Sequence, residues 1–133
     1  MQTFLPYPSF TESARVLDRQ RLGKQRVECL QILAALHGGE GWKNHPAVKM
    51  WRGYESALIM YASTICDEWI ARGYKDTCRA KIIERYHIRE TLSPSWLGNE
   101  NFHRAHRANL VRKDPQHYVP LFGDLPMEPY VWP

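Results

Sequence analysis

The chain has 133 residues, 44% hydrophobic, 24% charged and 12% aromatic, with a formal net charge of +4. That length supports one core and one domain spanning residues 1–133, and the composition excludes collagen-like, low-complexity and fully disordered chains. No apolar run approaches the ~20 residues that a membrane helix needs, and Met1-Gln2-Thr3-Phe4-Leu5-Pro6 lacks the basic-then-apolar pattern of a signal peptide.

Ser9-Phe10-Thr11-Glu12 fits a capping box, which predicts a helix through about Arg21 with a kink or break at Gly23. Helix resumes over Lys24–Leu36 and stops at Gly38-Gly39. On a helical wheel Val27, Leu30 and Ala34 share one face, whereas Arg21, Lys24, Glu28 and Gln31 share another if the helix continues through Gly23. Pro46 suits a first helical position after Asn44 or His45. Val48, Trp51, Leu58, Ala62, Ile65 and Trp69 then recur at helical spacing until Gly73. This predicts one helix of ~40 Å, with Gly53 as a point where it could bend. A shorter helix is expected over Thr77–Tyr86, a loop at Leu92-Ser93-Pro94-Ser95, and a last helix from Asn99 to before Asp114-Pro115. Pro120, Pro126, Pro129 and Pro133 predict an irregular, aromatic, proline-rich tail packed across the body. The expected fold is all-α, with four to five helices in one compact domain.

The positive charge is concentrated in two segments. Arg15, Arg19, Arg21, Lys24 and Arg26 stand against Asp18 alone, and Arg104, Arg107, Arg112 and Lys113 lie among His103 and His106 with no acid. Paired basic segments suit a polyanion, because each neutralised phosphate releases counterions. Solvated helix faces would give the same pattern. The odd set of Cys29, Cys66 and Cys78 has no C-x-x-C pair and suggests reduced thiols in a cytoplasmic chain.

Two constellations carry candidate chemistry. In Leu17-Asp18-Arg19-Gln20-Arg21-Leu22-Gly23-Lys24-Gln25-Arg26-Val27-Glu28, the Glu28 carboxylate follows Lys24 by four residues and Arg21 by seven. Such a positive field favours its ionised form and suits a general base or the stabilisation of a cation developing at a sugar C1′. On spacing alone, a surface Lys24–Glu28 pair worth a few tenths of a kcal/mol is the favoured reading. In the stretch from His103 to Tyr118, Arg107, Arg112 and Lys113 could grip phosphates, and His103, His106, Asn109, His117 and Tyr118 could hydrogen-bond or stack on an extruded base. A solvated amphipathic helix is the competing reading. His103-x-x-His106 with Asn109 and His117 has ligand types found in small metal nucleases, but zinc-type spacing is absent from Cys66, Cys78 and His87, so no metal and no cofactor is expected. His45 reads as a cap or core histidine, and Trp51, Tyr61 and Trp69 as core.

With these segments placed, the chain resembles the pyrimidine-dimer DNA glycosylase (endonuclease V) family. The resemblance rests on Thr3-Phe4-Leu5-Pro6, on Val16 through Glu28, on Asn44-His45-Pro46-Ala47 leading to Met50-Trp51-Arg52-Gly53-Tyr54, and on Trp69-Ile70-Ala71-Arg72-Gly73. It continues through His106-Arg107-Ala108-Asn109-Leu110-Val111-Arg112-Lys113-Asp114-Pro115 and Tyr130-Val131-Trp132-Pro133. The resemblance implies an all-α enzyme that kinks duplex DNA, flips a nucleotide out and cleaves an N-glycosidic bond through an N-terminal α-amine and a nearby glutamate. The glutamate falls on Glu28. The arginines around it, Arg19, Arg21 and Arg26, would contact phosphates flanking the lesion. The residue reading adds His45, His103, His106, Arg107, Asn109, Arg112, Lys113, His117 and Tyr118 to the expected DNA contacts. The family exposes a threonine amine after methionine removal, but Gln2 is too bulky for routine removal and Thr3 is not that amine. The nucleophile is then the Met1 amine, of a kind that ordinarily titrates at about 7.7–8.0, or Lys24 deprotonated in a positive, partly buried setting. In the third case no imine forms.

The expected partner is therefore damaged or modified duplex DNA, with no membrane contact, and the expected state a monomer. The expected location is the nucleoid, or a host cytoplasm for a phage-encoded chain. Several arrangements of Tyr7, Trp51, His106 and Tyr118 fit a pocket for an extruded base. The alternative function is a non-catalytic module that binds distorted or modified DNA, and a metal-dependent nuclease stands third.

Overall fold

The computed structural model describes residues 1–38, 44–89 and 92–133. An extended N-terminal segment leads into α1 (Phe10–Val16), α2 (Arg19–Leu36), α3 (Pro46–Lys49), α4 (Glu55–Ala71), α5 (Cys78–Arg85), α6 (Glu100–Lys113) and α7 (Pro115–Phe122). These seven helices, with no strand among the described residues, confirm the all-α class with more elements than four to five. None is long and apolar enough to cross a membrane.

The first break falls at Leu17-Asp18 and not at Gly23. The Ser9 hydroxyl accepts the Glu12 N–H at 3.2 Å to start α1. The Asp18 carboxylate caps α2 by accepting the Arg21 N–H at 3.3 Å. A second cap resets the backbone, so two helices replace one. Gly23 continues α2 without interruption, and its missing side chain lets Trp69 approach: an added Cβ would lie 3.0 Å from the indole ring. α2 ends at Leu36, with Gly38 beyond it, and the expected stop at Gly39 lies outside the described residues.

The single long helix from Pro46 is also divided. α3 is one turn, and the chain then turns through Gly53, whose φ of 85° is open to glycine and strained for other residues. The expected wheel of α2 is rotated. Leu22, Cys29, Ile32 and Leu33 face the core, whereas Val27 is 43% exposed and Ala34 is exposed. α4 packs against α1, α2 and α5, contributing Leu58, Tyr61, Ala62 and Ile65 to the core. Trp51 stacks on Tyr61 at 5.7 Å and meets the edge of Trp96 at 5.0 Å.

The tail is not wholly irregular. α7 contains Pro120, which forgoes one helical hydrogen bond in an eight-residue helix. Asp114 caps it, and the buried Tyr118 anchors it by donating its hydroxyl proton to Asp18 and stacking on Phe122 at 5.6 Å. The irregular, aromatic stretch follows only after Phe122.

Candidate active site

The N-terminal segment runs extended through the protein, with Thr3, Phe4 and Leu5 buried. An extended chain inside a helical fold cannot satisfy its own backbone, so side chains must do it. The Leu5 N–H donates to His106 Nδ1 at 3.1 Å, and the Leu5 carbonyl lies 2.8 Å from His103 Nδ1. The Phe4 N–H donates to Gln25 Oε1 at 2.8 Å, and the Tyr61 hydroxyl donates to the Phe4 carbonyl. Trp51 Nε1–H donates to Thr3 Oγ1 at 3.1 Å.

This threading delivers the Met1 α-amine to a cavity of about 290 Å³, whose walls include Gln2, Arg21, Lys24, Glu28 and Lys113. Arg21, Lys24 and Glu28 come from one face of α2, Lys113 from the end of α6, and Met1 from the chain start. The Met1 amine and the Gln2 backbone N–H both act electrostatically on the Glu28 carboxylate, whose Oε2 is buried without a hydrogen-bond partner among the described residues.

Burial pushes the Glu28 carboxyl above the usual glutamate range, against the pull of the Met1 amine, Lys24, the Gln2 N–H and Lys113. The expected positive field is therefore present, but it does not make Glu28 a stronger acid: desolvation outweighs it. The same crowding, with burial first and then Arg112, Arg21 and Lys24, lowers the Lys113 ammonium. Lys24 is exposed and not partly buried.

The family model for pyrimidine dimer DNA glycosylases matches residues 1–82. The chain belongs to that family. No curated protein and no solved structure matches it. The matched part of this glycosylase-family chain holds Met1, Arg21, Lys24 and Glu28, and Lys113 joins the cavity from beyond it.

The other expected contacts are not gathered at the cavity. Arg26 Nη1 donates to Asp76 at 2.6 Å, and its guanidinium lies 4.4 Å from the Trp69 ring centroid. Arg19 is exposed on the first turn of α2. His103 and His106 are buried against Leu5, and burial lowers His106 to about 3, so it stays neutral. Asn109 Nδ2–H donates to the carbonyls of Ala105 and Glu128, which ties the tail to α6. Arg107 reaches the Pro6 carbonyl at 2.8 Å and pairs with Glu100. Arg112 is exposed beside Asn109, and His117 lies 2.8 Å from the Val16 carbonyl. Of the residues considered for a base pocket, Trp51 and Tyr118 are fully buried in packing.

His45 caps α3 by accepting the Ala47 N–H at 3.0 Å. Burial and the charge of the chain terminus lower its pKa, which places it in the field of the Met1 amine. Trp132 meets His45 at 6.5 Å and Tyr130 at 5.4 Å. Tyr130 had no role assigned to it from sequence. Its buried hydroxyl has no hydrogen-bond partner among the described residues. Burial pushes it up to about 12, with Arg112, Arg21 and Glu28 acting on it. Its sequence signals are the aromatic tail and its place in Tyr130-Val131-Trp132-Pro133, neither of which assigns it a role.

Proposed function

We propose that this chain is a base-excision DNA glycosylase in which the Met1 α-amine and Glu28 act together at C1′ of an extruded nucleotide. The observation that supports this reading is the one cavity that holds both groups among Arg21, Lys24 and Lys113. The neutral amine adds to C1′ as the C1′–N bond breaks, and the departing base takes the bond's electron pair and a proton from water. The added nitrogen then releases a proton to the Glu28 carboxylate. Glu28 passes that proton to O4′ as the C1′–O4′ bond opens, leaving a protonated imine between protein and sugar. A carboxyl with a raised pKa suits this two-way transfer better than a strongly acidic one. Arg21, Lys24 and Lys113 hold the flanking phosphates, and β-elimination of the imine would give strand cleavage. The enzyme works as a monomer on damaged or modified duplex DNA.

Incubation with a duplex carrying one abasic site, followed by borohydride, tests the amine. A covalent adduct mapped by mass spectrometry to Met1 is the expected result. An adduct at Lys24 transfers the nucleophile to that residue. Intact binding without an adduct removes the imine step, and absence of base release across a panel of damaged bases leaves a binding module.

A further inference from the structure

Glu28 and the Met1 amine lie at opposite ends of a register that something must fix. The amine belongs to the half-buried chain terminus, and the carboxylate belongs to a helix. On α2, three residues before Glu28 and on the same side, Gln25 is fully buried. Its Nε2–H donates to the Gln2 carbonyl at 3.0 Å, and its Oε1 accepts the Phe4 N–H at 2.8 Å. The orientation of the amide is set by its partners, because a carbonyl can only accept and an N–H can only donate. The Tyr61 hydroxyl, 3.2 Å from the same Oε1, adds a third contact. One side chain thus grips the backbone of residues 2 and 4 as a neighbouring strand would. The residue it grips first, Gln2, is the one that follows the amine, and its backbone N–H acts on the Glu28 carboxylate.

We infer that Gln25 is the positioning residue that sets the Met1 amine against the Glu28 carboxylate. It touches neither substrate nor reacting atom, and acts through the backbone of Gln2. The inference rests on the reading that amine and carboxylate work as a pair. His103, His106 and Tyr61 hold Phe4 and Leu5 from other elements, so they secure the segment. Gln25 ties Gln2 and Phe4 to the helix that carries Glu28. A displacement of about 1 Å in such a pair is enough to cost on the order of 100-fold in rate.

The test uses the full chain and two variants. Gln25→Met keeps the length and removes both hydrogen bonds. Gln25→Glu keeps the acceptor for Phe4 and sets a carboxylate oxygen against the Gln2 carbonyl. In the wild type, the Gln2 amide proton followed by NMR should shift with pH in step with the Glu28 carboxyl, and Glu28→Gln should abolish that shift. Both Gln25 variants should lose the coupled shift. Borohydride trapping on the abasic duplex should slow by about 100-fold with the half-saturating DNA concentration unchanged. A merely structural residue would weaken DNA binding and thermal stability without uncoupling Gln2 from Glu28. The inference is overturned if a folded variant keeps the coupled shift or traps at the wild-type rate. It is overturned on the wild type alone if the Gln2 amide ignores Glu28. If the wild type shows the coupling and forms no adduct, the amine chemistry fails while the positioning stands.

Discussion

The Glu28 carboxylate lies in the field of the Met1 amine and of the Gln2 N–H, yet its Oε2 is buried with no partner among the described residues. That combination gives Glu28→Gln two opposite effects. Base release should fall by about 10²–10⁴-fold, the range of a lost acid–base group, with duplex affinity retained. Stability should move the other way. A carboxyl raised by burial stabilises the fold below its unfolded pKa, and that contribution is lost as pH rises through the folded value. At neutral pH the variant should therefore melt at or above the wild-type temperature, and the difference should close at about pH 4. Thermal melts at both pH values, beside a glycosylase assay, check this; a variant that loses stability and activity together would make Glu28 a structural residue.

The cations of the cavity should differ from Arg26 in a salt titration. Lys24 and Lys113 are exposed at the rim, so Lys24→Ala and Lys113→Ala should each reduce the slope of log K against log salt by about 0.9. Arg26 is already committed to Asp76, whose side chain is fully buried. Arg26→Ala should leave the slope unchanged and cost about 3 kcal/mol of stability, because it removes the charge partner of a buried carboxylate, which keeps the Cys78 and Arg79 N–H groups. A slope change at Arg26 would return it to the DNA contacts.

The α2 wall of the cavity is legible in the sequence because the spacing of Arg21, Lys24 and Glu28 is a local property of one helix. The wheel told which residues share a face, but not which face is buried. The buried face is the one that packs on α4, an element distant in sequence. The second basic segment meets the same limit. Histidine, asparagine and arginine that grip a nucleotide look identical in sequence to those that grip an extended backbone. His103, His106 and Arg107 hold Leu5 and Pro6, partners separated from them by about a hundred positions. Gln25 was overlooked because a buried glutamine carries no motif; only its partners reveal it.

Acid should unfold the protein through its aspartates. Burial alone would raise Asp18, but the Tyr118 hydroxyl and the Arg21 charge outweigh it and hold the carboxyl below the ordinary 3.8. Burial likewise opposes a lowered Asp76, and the N–H groups of Arg79 and Cys78 together with Arg26 prevail. Groups lowered in the fold contribute stability above the unfolded pKa, and that stability is lost as pH falls from about 3.9 through the folded values. Melting temperature should drop in that window. Asp76→Asn should flatten the drop while lowering stability at neutral pH, and an unchanged acid limb in that variant would count against the assignment.

His106 should behave as a structural residue under the N-terminal segment. Its Nδ1 accepts the Leu5 N–H, so in the neutral ring the proton resides on Nε2, and a pKa of about 3 keeps the ring neutral through the working range. His106→Ala removes the acceptor, leaves the Leu5 N–H unpaired, and opens a space beside Phe102 and Tyr130. A stranded buried donor costs about 1–3 kcal/mol and the lost packing adds to it. The variant should melt well below the wild type at every pH between about 5 and 8, with no titration step in that interval. Its salt slope on undamaged duplex should equal that of the wild type, because no phosphate contact is lost. Imine trapping should slow, since Leu5 anchors the segment that carries Met1. If His106→Ala instead kept its melting temperature and lost affinity for damaged duplex alone, the ring would belong to the recognised base and not to the fold.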